Sequence, residues 1–310
     1  MEKQYFFDGH GNKVSQVANV MAYGAAGNGI TDDTTAIQAA LQAKQAGGIV
    51  YFPTGTYRIT QQLFFYSNQT LFFESGATLL QGAAMDNLLM NASTAEMGGY
   101  DATEHVIIRG ATFDGGSYST NNTLLGICHS RHITIANCRF RNGYGTWHDL
   151  EINSSKHVLV DQCWFEGRRR TGSNAELIQI DSFNNTATWP WGNGKVDGTV
   201  SCLVEVKNCF FTDCAVAPAI GNHSQAVVES IHIHDNVFEN ITCARGAVNF
   251  ENAKQVDVSG NIFTGCHTGI TVGTADGTNT AHDNRFIGIT TVSGSGIHCY
   301  NNMVNGTFTP

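Results

Sequence analysis

HITIANCRFRNG (His132–Gly143) is one of six variants of a single pattern. The others are HVIIRGATFDGG (His105–Gly116), HVLVDQCWFEGR (His157–Arg168), LVEVKNCFFTDC (Leu203–Cys214), SIHIHDNVFENI (Ser230–Ile241) and QVDVSGNIFTGC (Gln255–Cys266). The last aromatic of each copy (Phe113, Phe140, Phe165, Phe211, Phe238, Phe263) makes a ruler with steps of 27, 25, 46, 27 and 25 residues. A period of about 25, built from short alternating segments with Asn and Gly turns, is that of a stacked solenoid. Apolar positions alternate with period two, which excludes helical repeats. The expectation is an all-β chain wound as a parallel β-helix.

A second, weaker repeat lies upstream. Ile127, Ile152 and Phe250 each stand 13 residues before a marker phenylalanine, in GICHS, DLEINSS and AVNFEN. Each coil therefore has at least two strands, stacked into parallel sheets about 4.8 Å apart. Cys138, Cys163 and Cys209 share one motif position and read as small buried residues of an inward column. Asn137, Gln162 and Asn208 beside them read as a stacked polar ladder that satisfies the turns. His105, His132 and His157 open three successive motifs and read as structural ladder positions.

With 26 acidic and 17 basic side chains the net charge is −9, which argues against nucleic acid as a partner, because neutralising phosphates needs clustered Lys and Arg. The nine cysteines are odd in number and follow the repeat, and no CxxC pair has zinc spacing. Free thiols, folding in a reducing compartment and no metal centre are expected. No apolar signal core stands near Met1, and no stretch is long enough to cross a membrane. An extracellular place, or one on a virion, then requires a removed signal or another route out of the cell.

Residues 1–16 are polar and Gly-interrupted, a leader or linker, and 17–310 form one β-helix domain. Within NVMAYGAAGNGITDDTTAIQAAL, Thr31 or Asp33 can cap a helix over about 32–45 with Ile37, Ala40 and Leu41 on one face, ended by Gly47-Gly48. A solenoid needs its open end covered, and this helix is the natural cap. This stretch, with GGIVYFPTGTYRI after it, resembles the N-terminal signature of the pectin-lyase-like superfamily, which includes polygalacturonases, pectate lyases and phage tailspikes. The resemblance implies a right-handed parallel β-helix that acts on polysaccharide, and its tailspike branch implies a homotrimer. The polygalacturonase motifs Asp-Asp and Arg-Ile-Lys are not matched on corresponding strands, and Gly221-Asn222-His223 stands where a Gly-His turn would sit.

The 46-residue step carries 21 residues more than the 25-residue repeat, a length excess that marks a functional loop, about 183–200. Its Trp189 and Trp191 could stack on sugar rings or simply pack the loop. Directly before it, AELIQIDSF places Ile178 and Ile180 inward and Gln179 and Asp181 outward. One coil earlier Asp149 and Glu151 face out, and two coils later Asn249 and Glu251 do. If Ile152 stacks on Ile180, the Cα atoms of Glu151 and Asp181 are roughly 8 Å apart, compatible with a pair of hydrolytic carboxyls. Asp149 is an alternative partner, and Glu176 could reach the cleft if the strand begins with a bend. His223 could bond substrate or tune a carboxylate. Arg169, in a run of three arginines, could bind an anionic group or sit in a solvated turn.

The reading that results is a glycan depolymerase with catalytic carboxylates among Asp181, Glu151, Asp149 and Glu176. Gln179, His223, Trp189, Trp191, Asn249, Glu251 and Arg169 would contact a cell-surface polysaccharide. Hydrolysis needs no cofactor; a lyase alternative would add Ca2+, and teichoic acid would suit the arginine run. A noncatalytic glycan-binding adhesin is the third reading.

Overall fold

The computed structural model describes residues 17–184, 194–223, 227–273, 277–289, 291–293 and 296–309. The expected leader and both loop tryptophans, Trp189 and Trp191, lie outside the described residues. Among the described residues the chain winds through three sheets. One has eleven strands (Val17–Asn19 to His298–Tyr300), one twelve (Asn28–Asp32 to Thr307–Thr309) and one nine (Leu63–Phe65 to Thr291–Ser293). All pairings are parallel except that of the final strand, which returns antiparallel on Asn302–Val304. Each coil thus has three strands: the repeat motif supplies two, and the upstream segment supplies the third.

The phenylalanine ruler is a physical column. Phe113, Phe140, Phe165, Phe211, Phe238, Phe263 and Phe286 are partners in successive strands. Their rings stack with centroids 4.5–5.0 Å apart, all fully buried. Because Phe165 pairs directly with Phe211, the insertion leaves the coil without disturbing the register on either side. His105, His132 and His157 also stack, at 4.8 and 4.7 Å, as a structural ladder should.

The polar ladder lies one residue from its expected place. Asn137, Gln162 and Asn208 are exposed and adopt left-handed backbone (φ 53°, 55° and 52°), which turns the chain from one sheet to the next. The buried column is the neighbouring position, occupied by Cys138, Cys163 and Cys209 and then by Asn236, Asn261, Asn284 and Asn302. In that column the Asn261 side-chain oxygen accepts from the Asn236 backbone N–H at 2.9 Å, and the Asn236 amide donates to Val206 O at 2.9 Å. Asn236→Ala strands the Cys209 N–H and the Val206 carbonyl and is expected to cost about 1–3 kcal/mol, read as a lower midpoint in urea unfolding. All nine cysteines are free, as expected.

The helix is shorter than expected, Thr34–Gln42, with Ile37, Ala40 and Leu41 buried, and it packs on Val17–Asn19 and Leu63–Phe65. Asp33 stands at its N-cap but makes no capping bond. Its carboxylate is buried and accepts instead from the Ala26 and Gly27 N–H groups at 2.6 and 3.0 Å. Gly27 has φ 62°, and a Cβ there would stand 3.1 Å from the Tyr57 ring, so the AAGNG turn of the signature is required by backbone shape. No helix among the described residues is long and apolar enough to cross a membrane.

Candidate active site on the nine-stranded sheet

Strands Leu150–Asn153 and Ile178–Asp181 pair as the ruler implied: Leu150 with Ile178, Glu151 with Gln179, Ile152 with Ile180, Asn153 with Asp181. The isoleucines and leucines fill the interior, so the polar residues project from the outer face. One outer row runs Gly126, Glu151, Gln179, Gly221, Asn249, Thr271 across six coils. A Cβ on Gly221 would come within 1.9 Å of the Asn249 carbonyl oxygen, so no side chain can stand between Gln179 and Asn249.

The acids face outward and yet are not exposed. Asp149, Glu151, Glu176 and Asp181 are each 0 % exposed. Both described ends of the insertion fold back over the sheet. The Phe183 N–H donates to Ser154 Oγ at 2.6 Å, and its ring packs on Met90 and Cys128. Ser154 Oγ donates to Thr199 O at 2.8 Å, and His129 Nε2 meets Lys195 O at 2.9 Å. Asp197 accepts from the Gly99 N–H at 2.7 Å. Alternation assigns a side to each residue but is silent on what a loop lays over that side.

Within this enclosure the candidates separate. Glu176 does reach the cluster: its Oε2 is 3.1 Å from His223 Nδ1, and its Oε1 accepts from Arg245 at 3.0 Å. Gln179 donates to Asp181 Oδ2 at 3.0 Å and lies 3.3 Å from the His223 ring. Asp181 Oδ1 accepts from the Ser182 N–H. Glu151 Oε1 accepts from Asn153 at 3.4 Å, and among the described residues its Oε2 has no hydrogen-bond partner. Arg245 also grips Asn249 and Glu251, at 2.8 and 3.2 Å. His223, Arg245 and Glu251 reach solvent (26, 22 and 48 % of the side chain exposed), so the network opens at that edge.

Two candidates fall outside this network. Asp149 is turned to Arg170, 2.6 Å away, in an ion pair with both side chains fully buried. Its charged neighbours are Arg170 and Glu166 rather than the other acids, so it holds the coil together. Arg169 donates to the Gly116, Asn142 and Tyr118 carbonyls and lies over the Tyr144 ring. Arg168 pairs with Asp213 at 2.7 Å. Each arginine of the run is thus engaged by a partner within the chain. Arg245 was missed from sequence because it lies in a turn of the coil after His223, outside any alternating segment.

The two glutamates are driven apart in proton affinity. Burial pushes the Glu151 carboxyl well above the usual range, and the charges of Asp181 and Glu176 add to this. Burial acts the same way on Glu176 but is outweighed by the His223 hydrogen bond and charge, then by His148 and Arg245, which hold it below the usual range. His223 loses proton affinity by burial and regains more from Glu176, ending above the ordinary imidazole value. His148 is pushed down to about 3, chiefly by burial.

Geometry and relatives agree on the class. The chain belongs to the rhamnogalacturonase A/epimerase, pectate lyase-like family, whose model matches residues 17–306, and the fold is a right-handed parallel β-helix. It is similar to the plasmin and fibronectin-binding protein A of Streptococcus pneumoniae, 30 % identical over 282 residues, 79 % of this chain and 39 % of that protein. A pre-neck appendage protein of Bacillus phage B103 is 26 % identical over 264 residues, 82 % of this chain and 27 % of that protein. The chain therefore spans well under half the length of either relative. The solved structure of the S. pneumoniae surface protein and adhesin PfbA superposes with a TM-score of 0.69 at 23 % identity, covering 92 % of this chain and 88 % of that one.

Proposed function

We propose that this chain is a glycan depolymerase that hydrolyses an extracellular or cell-surface polysaccharide, working outside the cell or on a virion. The observation that carries the reading is a carboxyl pair on one sheet face: Glu151 stands beside Gln179 with Asp181 on that same neighbouring strand, and burial, with the charges of Asp181 and Glu176, pushes the Glu151 carboxyl well above the usual range, the direction a general acid needs. Glu151 donates its proton to the glycosidic oxygen as the bond to the anomeric carbon breaks. Asp181, one coil over and two residues along, takes a proton from the water whose hydroxyl joins that carbon. Glu176 has both oxygens engaged and is a positioning residue, raising the proton affinity of His223 beside Gln179 and Asp181. Substrate enters at the edge where His223, Arg245 and Glu251 meet solvent.

The burial of all three acids favours a second reading, a noncatalytic adhesin that binds glycan along the solenoid. Incubation with a panel of polysaccharides and teichoic acids separates the two. Hydrolysis gives new reducing ends without ultraviolet absorbance, lost in Asp181→Asn. Elimination gives an absorbing unsaturated product. A polymer that is bound and left intact by the wild type overturns the hydrolase reading.

A further inference from the structure

The outer face of the eleven-stranded sheet carries a second constellation, on the same coils as the site above but on a different side of the solenoid. Strand Val228–His234 buries Ile231 and Ile233 and turns His232 and His234 outward. Glu205, on the preceding coil, is the register partner of His232. One ligand atom from each of Glu205, His232 and His234 lies within 4.8 Å of the other two. Two imidazoles spaced i, i+2 on one strand face, with a carboxylate on the adjacent strand, converge because same-face residues and neighbouring strands are both only a few ångströms apart.

We propose that Glu205, His232 and His234 form a binding site for a divalent transition-metal ion of the zinc type. Tetrahedral zinc with bonds of about 2.0–2.1 Å sets its ligand atoms about 3.3 Å apart, so shifts of about an ångström on exposed side chains close the set. His234 is already oriented as a metal-bound imidazole is: its Nδ1 is held by Asp235 at 2.8 Å while Nε2 lies 3.0 Å from Glu205 Oε1. Asp257 sits 2.9 Å from His232 Nε2 and fixes that ring from the following coil. Lys207 shares the same Glu205 oxygen at 2.8 Å, and its flexible stem lets the ammonium swing to solvent when the ion arrives. Three protein ligands leave an open, water-facing position. Spacing rules for zinc motifs are blind to this site, because Glu205 and His232 are a full coil apart in sequence and meet only through register.

The test is zinc binding by the dialysed full chain, followed by calorimetry and by metal analysis after equilibrium dialysis against Zn2+. Wild type is expected to hold about one ion per chain at this site, with affinity reduced tenfold or more in His232→Ala/His234→Ala and in Glu205→Gln. Cobalt substitution is expected to give visible bands of a nitrogen–oxygen set without the near-ultraviolet charge-transfer band of a thiolate. The proposal is overturned if the double variant, with unchanged circular dichroism, binds as much zinc as wild type, or if the cobalt spectrum shows thiolate ligation.

Discussion

Glu151→Gln is expected to lower glycan cleavage by a factor of about 10²–10⁴, the usual share of a general acid, while leaving the fold intact. Glutamine matches the shape and cannot deliver the proton. The side chain is fully buried, among the described residues its Oε2 has no hydrogen-bond partner, and burial pushes the wild-type carboxyl well above the usual range, toward its protonated form. The pH profile carries the same assignment. With Glu151 as the proposed general acid, wild-type activity is expected to fall on the alkaline side, where Glu151 gives up its proton. Stability follows the same sign: the folded state retains a proton that the unfolded glutamate releases, so stability declines from the ordinary glutamate range up to the raised folded value. In Glu151→Gln that decline is reduced. Reducing-end assays across pH, paired with thermal unfolding, read both effects. Equal cleavage by the variant and wild type would remove Glu151 from the chemistry.

Arg170→Leu is expected to cost about 3–5 kcal/mol in denaturant unfolding, because it leaves the Asp149 carboxylate buried and unpaired. The guanidinium also donates to the Asn122 and Tyr144 carbonyls at 3.0 Å each, tying three coils together. Burial already raises the proton affinity of Asp149 against the pull of Arg170, so loss of the cation leaves burial unopposed. Asp149→Leu/Arg170→Leu is expected to recover most of the loss, since the desolvation of both charges goes with them. A single variant as stable as wild type would show that the pair holds nothing together.

Much of the site was legible because a parallel solenoid converts sequence spacing into position. Ile152 pairs with Ile180, and that one register puts Glu151 beside Gln179 and Asp181 one coil over. Glu176 and His223, read only as reachable from a bend and a turn, do join the cluster. Asp149 and Arg169 were misplaced for one reason: alternation holds within a strand, and both lie at its margins, where the chain turns and local packing decides direction. Arg245 left no periodic trace at all, although its side chain bonds six residues from three segments.

By itself, then, the sequence determined the coil, its period and the face each strand residue occupies, since all three follow from period-two alternation repeated at a constant spacing. Tertiary structure decided what alternation has no information about. It folded the described ends of the insertion against Ser154, His129 and Gly99 and buried the acids, and that burial shifts their proton affinities. It drew Asp149 to Arg170, brought Arg245 to Glu176, and set Glu205 against His232 and His234. Burial and charge pairing depend on what a neighbouring coil or a returning loop places in the last few ångströms.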